Sequence, residues 1–226
     1  MFELKQIAVI RTDFPEKFGI PRQSGLIDEL RSTLVFEPEF RVPEALRGIE
    51  QYSHLWLIWE FSKAVRSEWS PTVRPPRLGG NTRMGVFATR SPFRPNPLGL
   101  SCVRLVDVEY YTPEGAVLHL AGADLMDGTP IYDIKPYLPY VDCKPEASNG
   151  FALAQQEGVL DVEIPQELTS LIPEEKLPAL SAVLSQDPRP QYISDPQREF
   201  TMSFAGLEVS FTVSGNSLTV TGIRKT

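Results

Sequence analysis

The sequence has few of the residues that form metal sites and disulfide frameworks. It contains two cysteines and two histidines in 226 residues, and Cys102 and Cys143 lie outside any CxxC or Cys/His cluster. We therefore expect no metal site and no disulfide, with both thiols reduced. The longest apolar run, around residues 55–61, is far too short to span a bilayer, and the first residues lack the pattern of a secretory signal. These absences predict a cytoplasmic protein that is not embedded in a membrane.

Helical periodicity is scarce in the first two thirds of the chain. Short apolar segments separated by Pro/Gly loops predict strands instead, with one short helix beginning at Pro43. The predicted strands are residues 4–10, 25–35, 54–61, 84–88, 100–111 and 116–121. Because no helices of ten or more residues alternate with them, the pattern favours a closed or nearly closed antiparallel barrel over a doubly wound sheet.

After residue 162 the pattern changes. Residues 165–172 and 173–184 predict two short helices, the second with apolar residues at helical spacing. Residues 200–204, 207–213 and 217–223 then predict a three-stranded meander with turns at 205–206 and 214–216. The predicted fold is mainly β, with an antiparallel β-barrel domain in residues 1–160 and a small α+β domain in residues 161–226.

Basic residues are concentrated in one segment. The net charge of −7 argues against a nucleic-acid partner, but between residues 63 and 94 the only acidic residue is Glu68. The basic residues of this segment are Lys63, Arg66, Arg74, Arg77, Arg83, Arg90 and Arg94. Arginines also serve structural ion pairs, but their concentration here favours a phosphate-facing surface.

Two early segments concentrate residues that bind small molecules. In the loop of residues 19–25, Arg22 and Gln23 offer a fork of donors and an amide that suit a carboxylate and a purine edge, although two glycines are also typical of a plain hairpin connection. In residues 48–61, His54 begins an aromatic-rich strand. It is either a structural hydrogen-bonding residue, a ligand contact or a general base, and contact with a ligand is favoured over proton transfer.

Two later segments are richer in charged residues. Residues 85–101 contain three prolines that prevent a helix, so the loop itself must orient Arg90 and Arg94, as in a preorganised anion or nucleotide site. A Pro-rich crossover with solvent-exposed arginines is the alternative. In residues 124–137 a turn precedes an extended stretch that places Asp133, Lys135 and Tyr137 on one side. These three form either an acid/base group or an ion pair covered by a tyrosine.

Taken together, the segments PRQSG, GIEQYSHLWLIWEF, GVFATRSPFRPNPLGLS and DGTPIYDIKPYLPYVD resemble the TsaA-like (YaeB) family. The resemblance covers residues 4–145, and residues 186–206 resemble the C-terminal domain of the longer bacterial members. It implies a β-barrel methyltransferase that works as a homodimer. The implied reaction uses S-adenosylmethionine to methylate N6 of N6-threonylcarbamoyladenosine at position 37 of tRNA, next to the anticodon.

The resemblance also implies site residues. The expected cofactor contacts are Pro21, Arg22, Gln23, His54, Leu55, Arg90, Leu100, Asp127, Gly128, Thr129 and Pro130. The expected tRNA contacts are Arg74, Arg77, Arg83, Arg94 and Asn96, with Arg94 paired to the threonyl carboxylate. We expect that Asp133, or Tyr137 assisted by Lys135, accepts the proton that leaves N6.

Two other functions remain open at this point. A non-catalytic RNA-binding or S-adenosylmethionine-sensing barrel would bind tRNA or cofactor without methyl transfer. A small-molecule methyltransferase would need no arginine-rich segment, and would accept the modified nucleoside as readily as tRNA.

Overall fold

The chain folds into a closed antiparallel barrel of six strands, followed by a four-stranded sheet. The structure is a computed structural model, and it describes residues 3–75, 78, 81–151, 159–190, 195 and 197–226. The closed barrel and the small α+β region after it confirm the predicted fold class.

The barrel strands are joined in the order β1-β2-β7-β6-β3-β8. They are β1 (Ala8–Arg11), β2 (Arg31–Phe36), β3 (His54–Glu60), β6 (Leu98–Thr112), β7 (Gly115–Ala121) and β8 (Thr129–Pro136). A separate pair, β4 (Thr72–Val73) and β5 (Met84–Gly85), lies in the long connection between β3 and β6. One helical turn, α1 (Pro139–Asp142), follows the barrel.

Alternation of side chains builds the barrel core. In β3, Leu55, Leu57 and Trp59 are buried, whereas the residues between them are only partly buried. Successive side chains of a strand point to opposite faces, so β3 gives one face to the core and the other to the surroundings.

The C-terminal region forms a second layered unit. Its elements are β9 (Asp161–Glu163), α2 (Gln166–Thr169), α3 (Leu177–Ser185), β10 (Phe200–Phe204), β11 (Leu207–Ser214) and β12 (Ser217–Lys225). Strands β10 to β12 form an antiparallel meander, and β9 pairs with β12 in parallel. Ala205 and Gly206 both have positive φ, 51° and 74°, as the tight turn between β10 and β11 requires.

The two units share side chains at their boundary. Phe14, Ile27 and Leu30 come from the connection between β1 and β2, yet they are buried in the core of the C-terminal unit. The rings of Phe14 and Phe204 meet edge to face with centroids 5.3 Å apart. The domain boundary at residue 160 stays a prediction, because the first unit contributes to the core of the second.

Two strand predictions need correction, and one strand was not predicted. The apolar stretch 25–35 forms a strand only from Arg31, since Ile27 and Leu30 are apolar in order to pack against the C-terminal unit. Residues 84–88 contain only the two strand residues of β5, followed by a 3-10 turn, Val86–Ala88. Strand β9 was not predicted, because a three-residue parallel strand has no distinctive local pattern.

Candidate functional site

A cavity of about 720 Å³ opens at the rim of the barrel, between β3, β6 and the loops that precede β2 and β6. Its lining combines the aromatic rings of Trp56, Trp59, Phe61 and Phe87. Small-molecule sites typically have volumes of about 300–1,000 Å³ and mostly apolar walls with a few placed polar groups. The cavity therefore has the size and character of a nucleotide-sized ligand site.

The cavity wall needs a glycine at position 99. A Cβ built on Gly99 would lie 2.2 Å from Cε2 of Trp59, far inside van der Waals contact. The indole ring therefore lies directly against the backbone of β6. Its Nε1 donates a hydrogen bond to Ser101 Oγ at 2.9 Å, which fixes the plane of the ring.

A hydrogen bond between Arg90 and Gln23 joins two of the segments singled out in the sequence. Arg90 Nη1 donates to Gln23 Oε1, and Gln23 Nε2 donates to the carbonyl of Arg22. The same loop is tied to β6, since the backbone N–H of Cys102 donates to Ser24 Oγ at 3.0 Å. The guanidinium and the amide are thus held in one arrangement at the cavity wall.

Asp124 is a cavity residue that the sequence reasoning did not select. Ser101 Oγ donates to Asp124 Oδ1 at 2.5 Å, and Ser101 in turn accepts from Trp59. Burial raises the pKa of the Asp124 carboxyl above its ordinary value, and the Ser101 hydrogen bond and the charge of Arg90 oppose part of that shift. A carboxylate in the otherwise apolar stretch 120–126 was the signal available in the sequence.

A second carboxylate, Glu60, also lines the cavity. Glu60 Oε2 accepts a hydrogen bond of 2.7 Å from the Tyr132 hydroxyl. Burial, together with this contact to the negatively charged carboxylate, raises the pKa of Tyr132 to about 12. The phenol therefore remains a donor at neutral pH, and Glu60 stays oriented at the cavity edge.

The structure brings six of the predicted cofactor residues to the cavity. These are Pro21, Arg22, Gln23, Arg90, Leu100 and Thr129. The other five, His54, Leu55, Asp127, Gly128 and Pro130, are described residues that do not line it. Their assignment as cofactor contacts stays a prediction.

These five residues have structural roles in the barrel. Leu55 is fully buried in the barrel core, and His54 Nδ1 shares a hydrogen bond with Ser53 Oγ at 2.9 Å. Asp127 Oδ1 accepts from the backbone N–H of Thr12, while Gly128 supplies the positive φ, 72°, of the turn before β8. Pro130 is paired with Val9 of β1.

A bulge in β8 decides where Asp133 and Lys135 point. Before the bulge Thr129 and Ile131 are buried, and after it Ile134 packs on the barrel core. The extra residue lies opposite Ile58 and Trp59, and it shifts the alternation by one position. Without it, the period of two would turn Asp133 and Lys135 toward the barrel interior.

The predicted acid/base residues lie together, but outside the cavity. Lys135 Nζ is 3.1 Å from Asp133 Oδ2, and both side chains are substantially exposed. Tyr137 follows β8 and packs on the ring of Trp56, with centroids 5.6 Å apart. Trp56 itself lines the cavity, so Tyr137 contacts a wall residue without lining the cavity, and the catalytic role of all three residues stays a prediction.

The predicted tRNA contacts surround a wider groove next to the cavity. Arg74, Arg83 and Arg94 line this groove of about 1990 Å³, and Arg94 also lines the cavity, as Asn96 does. Arg94 Nη1 donates to the carbonyl of Thr89 at 3.0 Å, which holds the half-buried guanidinium at the junction. Arg77 lies outside the described residues.

The cysteines, histidines and carboxylates of the described part of the chain are not grouped as metal ligands. There, no group of three or more His, Cys, Asp or Glu side chains is placed to hold a metal ion. Both cysteines are free thiols. No helix among the described residues is long and apolar enough to cross a membrane.

A closed barrel with a cavity of this size beside an arginine-lined groove has the arrangement of a ligand-binding β-barrel protein. Residues 9–143 match the family model of the tRNA-methyltransferase O N-terminal domain, and residues 158–226 match that of the TrmO C-terminal domain. The chain belongs to the tRNA-methyltransferase O family. This membership confirms the family and the enzyme class predicted from the sequence.

Similar proteins extend over most of the chain. It is 45% identical over 199 residues to the tRNA (adenine(37)-N6)-methyltransferase of Escherichia coli (strain K12), covering 84% of this chain and 83% of that protein. It is 49% identical over 164 residues to the protein of the same name from Eikenella corrodens, with coverage of 72% and 91%. A crystal structure of TrmO from P. aeruginosa superposes with a TM-score of 0.82 at 36% identity, covering 100% of this chain and 98% of that one.

Proposed function

We propose that the protein transfers the methyl group of S-adenosylmethionine to N6 of adenosine 37 in tRNA, and that its substrate base is N6-threonylcarbamoyladenosine. The observation that carries the proposal is the junction of the cavity with the arginine-lined groove. Phe87, Arg90 and Arg94 line both. A small cofactor in the cavity and an RNA strand in the groove would therefore meet at these three residues.

The residues of the cavity suit S-adenosylmethionine, which joins a purine nucleoside to a sulfonium, an ammonium and a carboxylate. The aromatic walls match the purine face, and Gln23 offers an amide to its edge. Asp124 and Glu60 would suit the sulfonium and ammonium of the cofactor, whereas Arg22 and Arg90 would suit its carboxylate. When bound there, the cofactor supplies an electrophilic methyl group.

The carboxylate of the threonylcarbamoyl group would explain why Arg94 is held at the junction of cavity and groove. This guanidinium is held at the junction by Thr89, so it is preorganised for bidentate pairing with a carboxylate on the base. Arg74 and Arg83 lie further along the groove and are exposed, which suits them to phosphates of the anticodon arm. The groove therefore separates recognition of the modified base from contact with the backbone.

Methylation of N6 requires that its proton leave. We propose that Asp133, or Tyr137 assisted by Lys135, accepts this proton, as predicted from the sequence. Asp124 is the second candidate, because it lies inside the cavity and its raised pKa makes the carboxylate more basic. Most of the rate enhancement is expected from alignment of N6 with the methyl group, and proton transfer contributes less.

We also propose that the enzyme works as a homodimer in the cytoplasm. Both follow from the family resemblance and from the proposed tRNA substrate. Sedimentation of the purified protein over a range of concentrations tests the first, and localisation of a tagged chain in the cell tests the second.

Nucleoside mass analysis tests the reaction and its substrate together. Purified protein and S-adenosylmethionine are incubated with tRNA that carries threonylcarbamoyladenosine, with tRNA that lacks it, and with the free modified nucleoside. A gain of one methyl group only on the modified nucleoside is expected. Cofactor binding without any gain would instead identify a non-catalytic binding barrel, and equal methylation of the free nucleoside would identify a small-molecule methyltransferase.

A further inference from the structure

Two large aromatic side chains lie exposed in the groove. Trp69 is 53% exposed and Phe87 is 72% exposed. Their ring centroids lie 6.2 Å apart and their planes are inclined by 32°. Large exposed aromatic patches on soluble proteins mark interaction sites, and neither ring has a role in the barrel core or in the C-terminal core.

The surroundings of this pair carry positive charge. The guanidinium of Arg66 lies 3.6 Å from the centroid of the Phe93 ring, so it stacks on a third aromatic side chain of the same groove. Arg74 and Arg83 also line the groove, and Glu68 is the only acidic residue among its described lining residues. A partner that is both aromatic and polyanionic is complementary to this combination, whereas an apolar protein surface is not.

Single-stranded nucleic acid has these two properties. Its unstacked bases stack on exposed aromatic rings, and its phosphates pair with arginine. Bases in a paired stem are stacked on one another and are not available to such rings. The groove therefore favours the unpaired strand of an RNA loop over a duplex.

We propose that Trp69 and Phe87 form a stacking platform for an unpaired base of the anticodon loop, adjacent to the base that enters the cavity. The adjacency follows from Phe87, which lines both the groove and the cavity. This assignment rests on the proposed tRNA substrate. It adds a contact to the RNA loop that is independent of the methyl group and of the threonylcarbamoyl modification.

Binding of two RNAs to wild type and three variants tests the platform. The probes are an unmodified hairpin with an anticodon-type loop and a fully paired duplex of equal length, without cofactor. The variants are Trp69→Ala, Trp69→Phe and the control Tyr111→Ala. Tyr111 is 92% exposed and lies near the end of β6, away from the cavity and the groove.

We expect Trp69→Ala to weaken hairpin binding about tenfold, because stacking on one aromatic ring is lost. Trp69→Phe should stay within about twofold of wild type, since a ring remains for stacking. Duplex affinity, and the dependence of hairpin affinity on salt, should be the same in Trp69→Ala as in wild type. Tyr111→Ala should change neither affinity. Wild-type tryptophan fluorescence should fall when the hairpin is added, and this decrease should be smaller in Trp69→Phe, in which only Trp56 and Trp59 of the cavity remain.

Two results overturn the platform. Unchanged hairpin affinity in Trp69→Ala excludes stacking, and so does an equal loss for hairpin and duplex. A change in sedimentation of Trp69→Ala with unchanged hairpin affinity assigns the patch to contact between copies of the chain. Because binding is measured without cofactor or modified base, the platform can fail while methyl transfer succeeds, and hairpin binding can persist in a protein that does not methylate.

Discussion

Lys176 Nζ lies 2.7 Å from both carboxylate oxygens of Asp13. The pair is mostly buried and ties the C-terminal unit to the connection between β1 and β2. The backbone adds a second link, because the N–H of Ala205 donates to the carbonyl of Asp13 at 2.8 Å. The same connection continues into residues 21–23 at the cavity wall, so the C-terminal unit supports a part of the site from outside the barrel.

Breaking this ion pair should affect stability and cofactor binding together. We expect Lys176→Met to lower the free energy of unfolding by ~2 kcal/mol, because Asp13 loses its charged hydrogen-bond partner. Without the ion pair, the connection between β1 and β2 is held less firmly at residues 21–23. The KM for S-adenosylmethionine should therefore rise several-fold, with a smaller change in kcat. Urea unfolding measures the change in stability, and steady-state kinetics measure the change in KM. Lys225→Met, at an exposed position of β12, is the matched control, and equal effects in the two variants would contradict the support role.

Gly19 offers a second test of this boundary. Its φ is +93°, and a Cβ at this position would lie 2.5 Å from Cε of Met202 in β10. Gly25 is the matched control, because its φ is +75° but nothing lies within 4 Å of an added Cβ. Backbone strain of about 1–3 kcal/mol applies to both alanine variants, and crowding of the buried Met202 side chain, whose end can partly move aside, should add about 1 kcal/mol only at Gly19. Equal urea midpoints for Gly19→Ala and Gly25→Ala would rule out the contact.

Asp124→Asn should raise stability and lower activity. The folded-state pKa of Asp124 is raised above its ordinary value, so the ionised carboxylate destabilises the fold at neutral pH. That cost disappears as the pH falls through the folded pKa and the group is protonated. The variant should therefore unfold at higher urea than wild type at pH 7.5, with the difference shrinking toward pH 4, while kcat/KM falls about tenfold. A variant less stable than wild type at pH 7.5 would contradict the pKa direction.

Asp133→Asn tests the acid/base role predicted from the sequence. The carboxylate and Lys135 form an exposed pair, so stability should change by less than about 1 kcal/mol. If Asp133 accepts the proton, kcat should fall about 100-fold or more with little change in the KM for cofactor. If Asp133→Asn keeps wild-type turnover and Asp124→Asn loses turnover, the proton acceptor is the cavity carboxylate Asp124.

Arg94 and Arg83 should differ in what they recognise. Arg94→Gln should reduce the preference for tRNA carrying threonylcarbamoyladenosine about tenfold, because a bidentate partner of the threonyl carboxylate is lost. Arg83→Gln should instead weaken binding of modified and unmodified tRNA alike and make it less sensitive to salt. Filter binding of both tRNAs at several salt concentrations separates the two. Loss of preference in Arg83→Gln alone would reverse the assignments.

Local patterns were sufficient for much of the fold. The meander of β10 to β12 lies within one or two residues of its predicted bounds, since its alternation and its turn residues are short-range properties of the chain. The barrel class followed from strands without intervening helices. The stretch 25–30 was misassigned because its buried residues pack on a unit that begins 130 residues after Leu30, and no local pattern distinguishes that burial from burial in a strand.

The site was determined partly by sequence and partly by tertiary structure. By itself, the sequence determined which segments carry its chemistry, because prolines, glycines and arginines are dense in the two loops that meet at Gln23 and Arg90. Only the tertiary structure brought Asp124, in the connection between β7 and β8, within hydrogen-bond distance of Ser101 in β6. It also turned Asp133 away from the barrel interior, because a single bulge in β8 reverses the side-chain alternation that the sequence alone predicts.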